Sequence, residues 1–97
     1  MNVHILKIWP KYFGPIKQGD KTFEVRKNDR NYQVGDCVVL REYNPEKDVY
    51  TGGVICAVIT YIQDSDFTPD GYTIFAFKKI HHKVMLLIWC SILASKK

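Results

Sequence analysis

Residues 19–30 constrain the fold most, because they place charges of both signs inside a pattern typical of a β-strand. From residue 22 to residue 28 every even-numbered position is polar and two of the three odd-numbered positions are apolar, as in a strand with one buried face. The alternation predicts that Phe23 and Val25 enter the core. The opposite face would then carry Thr22, Glu24, Arg26 and Asn28. Such a row is either a binding surface on a rigid scaffold or a solvated face with a cross-strand ion pair.

The length of 97 residues predicts one compact domain. Its net charge of +4 is unevenly distributed. Residues 1–30 hold seven Lys and Arg against three Asp and Glu, residues 36–70 hold two against seven, and residues 78–97 hold five against none. Because the termini of small domains are often close together, the two basic ends would form one positive surface. Such a surface favours a polyanionic partner.

The cysteines and histidines give no sign of a disulfide framework or a metal site. Cys37, Cys56 and Cys90 are an odd number without metal-ligand spacing, and we expect reduced core thiols in a cytoplasmic protein. His81 and His82 are adjacent, so their rings point apart, and no metal or other cofactor is expected. The first residues alternate as in a strand, so no secretion signal is expected either.

The periodicity predicts a mainly β protein of the α+β type, a small barrel of five or six strands with one short helix near the N-terminus. The strands are predicted at residues 4–9, 22–28, 37–43, 54–62 and 72–79, with Ile5 pointing inward from the first. Pro10 suits the start of the helix, and Gly19 would cap its end. Gly14 and Pro15 would keep the helix broken or brief.

The C-terminal segment has a different character. Residues 84–94 are apolar on every side, which fits neither an amphipathic helix nor a half-buried strand. A helix of that length reaches about 16 Å, roughly half of a bilayer core, so we expect no membrane contact. We therefore predict a barrel over residues 1–80. Residues 81–97 would be an apolar extension that packs on the barrel or at a contact between chains, most simply in a homodimer.

Four short motifs occur in a characteristic order and spacing. They are Lys7-Ile8-Trp9-Pro10, Gly19-x-Lys21-x-x-Glu24-x-Arg26, Lys27-Asn28-Asp29-Arg30 and Val34-Gly35-Asp36. Together they resemble the ASCH domain of the PUA-like superfamily, and in particular its small single-domain branch of unknown function in phages and bacteria. The resemblance covers roughly residues 2–80. It implies a PUA-like barrel of five or six strands, with a cleft beside the helix that takes RNA or a modified nucleoside.

The side chains near this pattern suit a nucleotide. Lys21 offers a point charge for a phosphate, and Arg26 offers a planar group for a phosphate or a guanine edge. Glu24 would orient Arg26 or accept hydrogen bonds from base amino groups. Lys21 has the same strand parity as Phe23 and Val25. It therefore reaches the side of Glu24 and Arg26 only if the chain is still turning before the strand. Trp9 and Tyr12 are candidates to stack on a base, whereas Phe13 is expected in the core. The other candidate ligand contacts are Lys7, Lys27, Asn28 and Arg30.

Two other functions remain open. Some ASCH-like proteins are amidohydrolases that act on N4-acylated cytidine with a lysine and a threonine of this strand. Lys21 matches the lysine, but Glu24 replaces the threonine, and Thr22 is about 7 Å away along the strand. Catalysis would therefore rest on Lys21 and on Glu24 activating a water, and the sequence favours binding without catalysis. The third possibility is a phage accessory protein that binds another protein.

Overall fold

The computed structural model describes residues 1–63 and 68–80, which form one sheet and one helix. The elements are β1 (Val3–Ile8), α1 (Pro10–Gln18), β2 (Phe23–Lys27), β3 (Cys37–Asn44), β4 (Val49–Gln63) and β5 (Tyr72–Lys79). The strand order is β1-β3-β4-β5-β2, with β1 parallel to β3 and the other pairs antiparallel. This sheet curls into half a barrel. The predicted mainly β fold with one short helix near the N-terminus is confirmed.

The core lies on the side of the sheet that α1 covers. It consists of Leu6, Ile8, Phe13, Ile16, Tyr32, Val38, Leu40, Ile55, Ala57, Ile59, Phe75 and Phe77. A smaller cluster on the opposite face centres on Cys37, Val39 and Cys56, and Ile5 packs against it. The prediction that Ile5 points into the main core was therefore wrong. Both faces of this part of the sheet are apolar, so parity alone does not identify the inner one.

Helix α1 is continuous from Pro10 to Gln18 and nine residues long, so of the two predicted alternatives, broken or brief, it is the brief one. Pro10 fits the first turn, where backbone N–H groups have no partner within the helix. Pro15 removes the hydrogen bond to Lys11, which is exposed, so water can satisfy that carbonyl. The helix ends at Gly19, as predicted, in the left-handed conformation with φ of 89°.

One face of α1 is anchored in the core by Phe13 and Ile16, which lie one turn apart. Phe13 is 6% exposed, in agreement with its predicted core position. The carbonyl of Trp9 accepts hydrogen bonds from the amides of Tyr12 and Phe13 at 3.0 and 2.9 Å. This packing fixes the N-terminal turn of the helix, and with it the backbone positions of Trp9 and Tyr12.

Strand β2 alternates as predicted but in the opposite orientation. Phe23 and Val25 are 46% and 47% exposed, whereas Glu24 is 5% exposed. The prediction that the apolar pair enters the core was therefore wrong. A two-residue period shows that the two faces differ but not which face is inner. Here β2 lies at the edge of the sheet, and its inner face borders a polar cleft in which Glu24 has charged partners.

The β3–β4 hairpin extends further than predicted. Strand β4 begins at Val49 and not at residue 54, and Tyr43 pairs with Tyr50 across the hairpin. The Gly52-Gly53 pair lies inside the strand and does not mark its start. A Cβ added at Gly53 would lie 2.9 Å from Cζ of Phe13. The close approach of α1 to β4 therefore explains this glycine better than a turn does.

The prediction about the C-terminal extension, residues 81–97, falls outside the described residues, and so do Cys90 and the predicted homodimer contact. Within residues 1–63 and 68–80, no helix is long and apolar enough to cross a bilayer. Cys37 and Cys56 are free and buried, and burial raises the pKa of both thiols.

Candidate functional site

The half-barrel has an open seam between its two edge strands. In the described part of the chain, β1 pairs only with β3 and β2 pairs only with β5. Two arginine side chains bridge the seam. Nη2 of Arg26 donates to the carbonyl oxygen of Lys7 at 2.7 Å, and Nη1 of Arg30 donates to that of Ile5 at 3.1 Å. These bonds satisfy edge carbonyls that a neighbouring strand would otherwise take.

Glu24 is the buried anion of this seam. Its Oε2 accepts a hydrogen bond from Nε of Arg26 at 2.9 Å, and its Oε1 pairs with Nζ of Lys21. Because a buried carboxylate without partners would be strongly destabilising, Glu24 turns inward only together with these cations. Two cations around one carboxylate leave a surplus of one positive charge in the wall of the seam.

Lys21 reaches Glu24 because the chain is still turning before β2. The amides of Asp20 and Lys21 both donate to the carbonyl of Pro15, at 2.9 and 3.1 Å. Regular strand pairing then begins at Phe23. The turn before β2 that Lys21 needs in order to lie beside Glu24 is therefore present.

Two aromatic residues at the start of α1 line the same seam. Trp9 is 49% exposed and Tyr12 is 41% exposed. Nζ of Lys11 lies 5.9 Å from the Trp9 ring centre and 4.9 Å from the Tyr12 ring centre, and Nζ of Lys21 lies 5.5 Å from the latter. These distances permit cation–π attraction. Flat accessible rings and positive charges are therefore adjacent.

The seam opens into a cleft of about 390 Å³, a size typical of small-molecule sites. Among the predicted site residues, those that line the cleft are Lys7, Trp9, Tyr12, Glu24, Arg26 and Lys27. Lys21 joins them through its ion pair with Glu24. Lys7 also supplies the carbonyl that binds Arg26, while its ammonium lies 4.5 Å from the Tyr43 ring centre.

Two predicted residues lie elsewhere. Asn28 borders a separate polar hollow together with Asn31 and Gln33. Arg30 bridges the seam but is not among the residues that line the cleft. Among the described residues that line the cleft, Ile8, Val25 and Tyr72 were not predicted. Tyr72 arrives there because it pairs with Lys27 across β5 and β2, and this register is not visible in the sequence.

The cations of the cleft keep hydrogen-bond donors for a ligand. A guanidinium carries five N–H donors and an ammonium carries three. Arg26 uses two of its five, on Glu24 and Lys7. Lys21 uses two of its three, on Glu24 and on the carbonyl of Phe23 at 2.7 Å. As far as residues 1–63 and 68–80 are concerned, three donors of Arg26 and one of Lys21 thus have no partner and can serve an anionic or carbonyl-bearing ligand.

A second polar cluster, around Asp36, is structural. Nε2 of His4 lies 2.9 Å from Oδ2 of Asp36, and the amides of Asn2 and Gln33 donate to its carboxylate at 3.0 Å each. Burial alone raises the pKa of Asp36, but these hydrogen bonds outweigh it and hold the pKa below its usual value. The cluster ties the N-terminus to the turn before β3. The part of the chain that the structure describes contains no group of three or more His, Cys, Asp or Glu that could hold a metal ion.

The fold and the cleft define a small half-barrel protein with a positively charged cleft at the seam of its sheet. The chain belongs to the family described as domain of unknown function DUF3850, whose model matches residues 3–77. It is also 41% identical over 69 residues to the "Uncharacterized 12.9 kDa protein in GpA 3'region" of Escherichia phage P2. The match covers 70% of this chain and 62% of that relative. At this level, the predicted similarity to small phage or bacterial proteins of unknown function is confirmed.

Proposed function

We propose that the seam cleft binds single-stranded RNA or a nucleotide-like ligand. The observation that carries the proposal is the cleft of about 390 Å³, in which the exposed rings of Trp9 and Tyr12 stand beside a cluster with surplus positive charge. Aromatic rings stack on bases of any sequence, and cations bind the phosphates that accompany them. The cleft therefore offers rings to the base of a nucleotide and cations to its phosphate.

In this proposal Glu24 positions the two cations and does not contact the ligand as a base. Its two carboxylate oxygens are engaged by Lys21 and Arg26. Arg26 is further held by the Lys7 carbonyl, so its guanidinium is oriented before a ligand arrives. Such preorganisation reduces the entropy that binding costs. Because Glu24 is occupied in this way, binding is favoured over the hydrolysis of an acylated nucleoside.

We further propose that the DUF3850 family is a branch of the ASCH domains in the PUA-like superfamily. Support comes from the order of the motifs around Trp9, Glu24 and Asp36, and from the position of α1 between the two edge strands in the sequence. In this placement, the seam cleft corresponds to the cleft that such domains present between barrel and helix.

The proposal is tested by measuring the affinity of a labelled twelve-nucleotide single-stranded RNA at several salt concentrations. Trp9→Leu keeps an apolar side chain but removes the flat ring, and should weaken binding by about 1–3 kcal/mol. Lys27→Gln removes one exposed cation of the cleft. If Lys27 contacts a phosphate, the slope of log affinity against log salt should become shallower by about 0.7.

The matched control is Lys17→Gln, which removes an equal charge from the last turn of α1, away from the residues that line the cleft. It should leave the slope nearly unchanged. Arg26 variants are less informative, because they leave the buried Glu24 with a single cation. Equal effects of Lys17→Gln and Lys27→Gln, or no binding at low salt, would refute the proposal.

A further inference from the structure

The exterior of the sheet at β2, β5 and β4 carries an exposed aromatic surface, most of which lies outside the cleft. We call it the platform, and it consists of Phe23, Val25, Lys27, Tyr61, Gln63, Tyr72, Ile74, Ala76 and Lys78. The strand register places residues of neighbouring strands side by side on this surface. Phe23 and Tyr61 both pair with Ala76, one from each side, so two aromatic residues flank a small one on neighbouring strands.

The rings of this surface are accessible. Phe23 is 46% exposed, Tyr61 is 58% exposed and Tyr72 is 38% exposed. The hydroxyl of Tyr61 donates to Oε1 of Gln63 at 2.9 Å, which restrains the side chain on the platform. Exposed apolar groups that adjoin one another, unlike isolated ones, usually mark a binding surface.

The charges on the platform's own strands favour an anionic partner. Lys27 and Lys78 belong to the same strand faces, and Nζ of Lys21 lies 4.9 Å from the Phe23 ring centre. Strands β4 and β5 contain no Asp or Glu, and the single carboxylate of β2, Glu24, points to the inner side. A protein partner with an apolar face would not need this charge pattern, whereas a nucleic acid strand would.

The platform is continuous with the seam cleft. Val25, Lys27 and Tyr72 belong to the platform and also line the cleft. Lys21 lies within cation–π range of Tyr12 on the cleft side and of Phe23 on the platform side. A chain of nucleotides that starts in the cleft can therefore cross the edge of β2 without leaving contact with rings and positive charges.

We infer that the ligand of the cleft is a single strand of several nucleotides, which continues from the cleft over β2 and stacks bases on Phe23 and Tyr61. This inference rests on the proposed function and specifies its substrate as an oligonucleotide chain rather than a free nucleotide. The platform supplies affinity that grows with strand length, because each further base can stack on another ring and stacking tolerates any base.

The test compares a trinucleotide with a twelve-nucleotide oligouridylate on the full chain, by fluorescence anisotropy at one fixed low salt concentration. Phe23→Leu and Tyr61→Leu keep apolar bulk at exposed positions and remove only the stacking face. Each should weaken binding of the long strand by about 5- to 150-fold and leave the trinucleotide unchanged. Tyr50→Leu, at a 42% exposed tyrosine of the same strand β4, should change neither affinity.

The outcomes separate this inference from the proposed function. Suppose that Trp9→Leu loses binding while Phe23→Leu and Tyr61→Leu bind the long strand as the wild type does. The platform would then play no part in binding, and the proposed function of the cleft would stand. If no variant changes the affinity of either strand, both fail. Sedimentation of the protein alone adds a further check. Self-association that Phe23→Glu abolishes would show that the platform is a protein contact, and this would also overturn the inference.

Discussion

Replacing Gly53 with alanine is expected to destabilise the protein by forcing α1 away from β4. The new Cβ would lie 2.9 Å from Cζ and 3.0 Å from Cε1 of Phe13, and 3.1 Å from Oε1 of Glu42. Carbon atoms pack best at about 3.5–4.0 Å, so the ring must shift by several tenths of an ångström. Glu42 ends in a flexible carboxylate and can move, whereas Phe13 is buried in the core and cannot do so freely.

Overpacking of this kind typically costs about 1–3 kcal/mol. A domain of this size loses about 4–8 °C of melting temperature per kcal/mol, so we expect a decrease of roughly 4–24 °C. Thermal and urea unfolding followed by circular dichroism measures both quantities. Since Phe13 anchors the helix that carries Trp9 and Tyr12, the same variant should also bind the RNA probe more weakly.

The control is Gly14→Ala on α1 itself. An added Cβ there meets no heavy atom within 4 Å, and alanine favours the helix by about 0.5–1 kcal/mol, so this variant should be more stable. Phe13→Leu removes the ring atoms that clash, so Gly53→Ala should cost less in that background. An equal cost in both backgrounds, or an unchanged melting temperature of Gly53→Ala, would refute the reasoning.

Two further predictions concern buried polar groups. In the described residues, the Thr73 hydroxyl is buried without a hydrogen-bond partner, so Thr73→Val should raise the free energy of unfolding by about 1 kcal/mol. A loss of stability in urea would show that this hydroxyl is bonded in solution. The lowered pKa of Asp36 means that this residue contributes stability above about pH 4, which is lost as pH falls through the folded-state pKa. Asp36→Asn should therefore cost about 1–3 kcal/mol at neutral pH and flatten the acid limb of a stability–pH profile, whereas an unchanged profile would contradict the assignment.

The sequence by itself determined the order of the helix and strands and the two ends of α1. Strand alternation, Pro10 at the start of α1 and Gly19 at its end are local features, because they depend on backbone dihedrals and on side chains a few residues apart. The grouping of Lys21, Glu24 and Arg26 was visible for the same reason, since all three belong to one short segment. Their chemistry follows from residue type, which the sequence states directly.

The tertiary structure decided which surfaces these elements face. Parity left open which side of β2 is inner, and the answer depended on the cations that neutralise Glu24 in the half-barrel. The seam, its arginine bridges and the entry of Tyr72 into the cleft depend on β2 pairing with β5 and not with a strand adjacent in sequence. The need for a glycine at position 53 likewise became visible only from the close approach of Phe13. Pairing and packing between distant segments are set by the shape and charge of the whole assembled surface, and no local pattern encodes them.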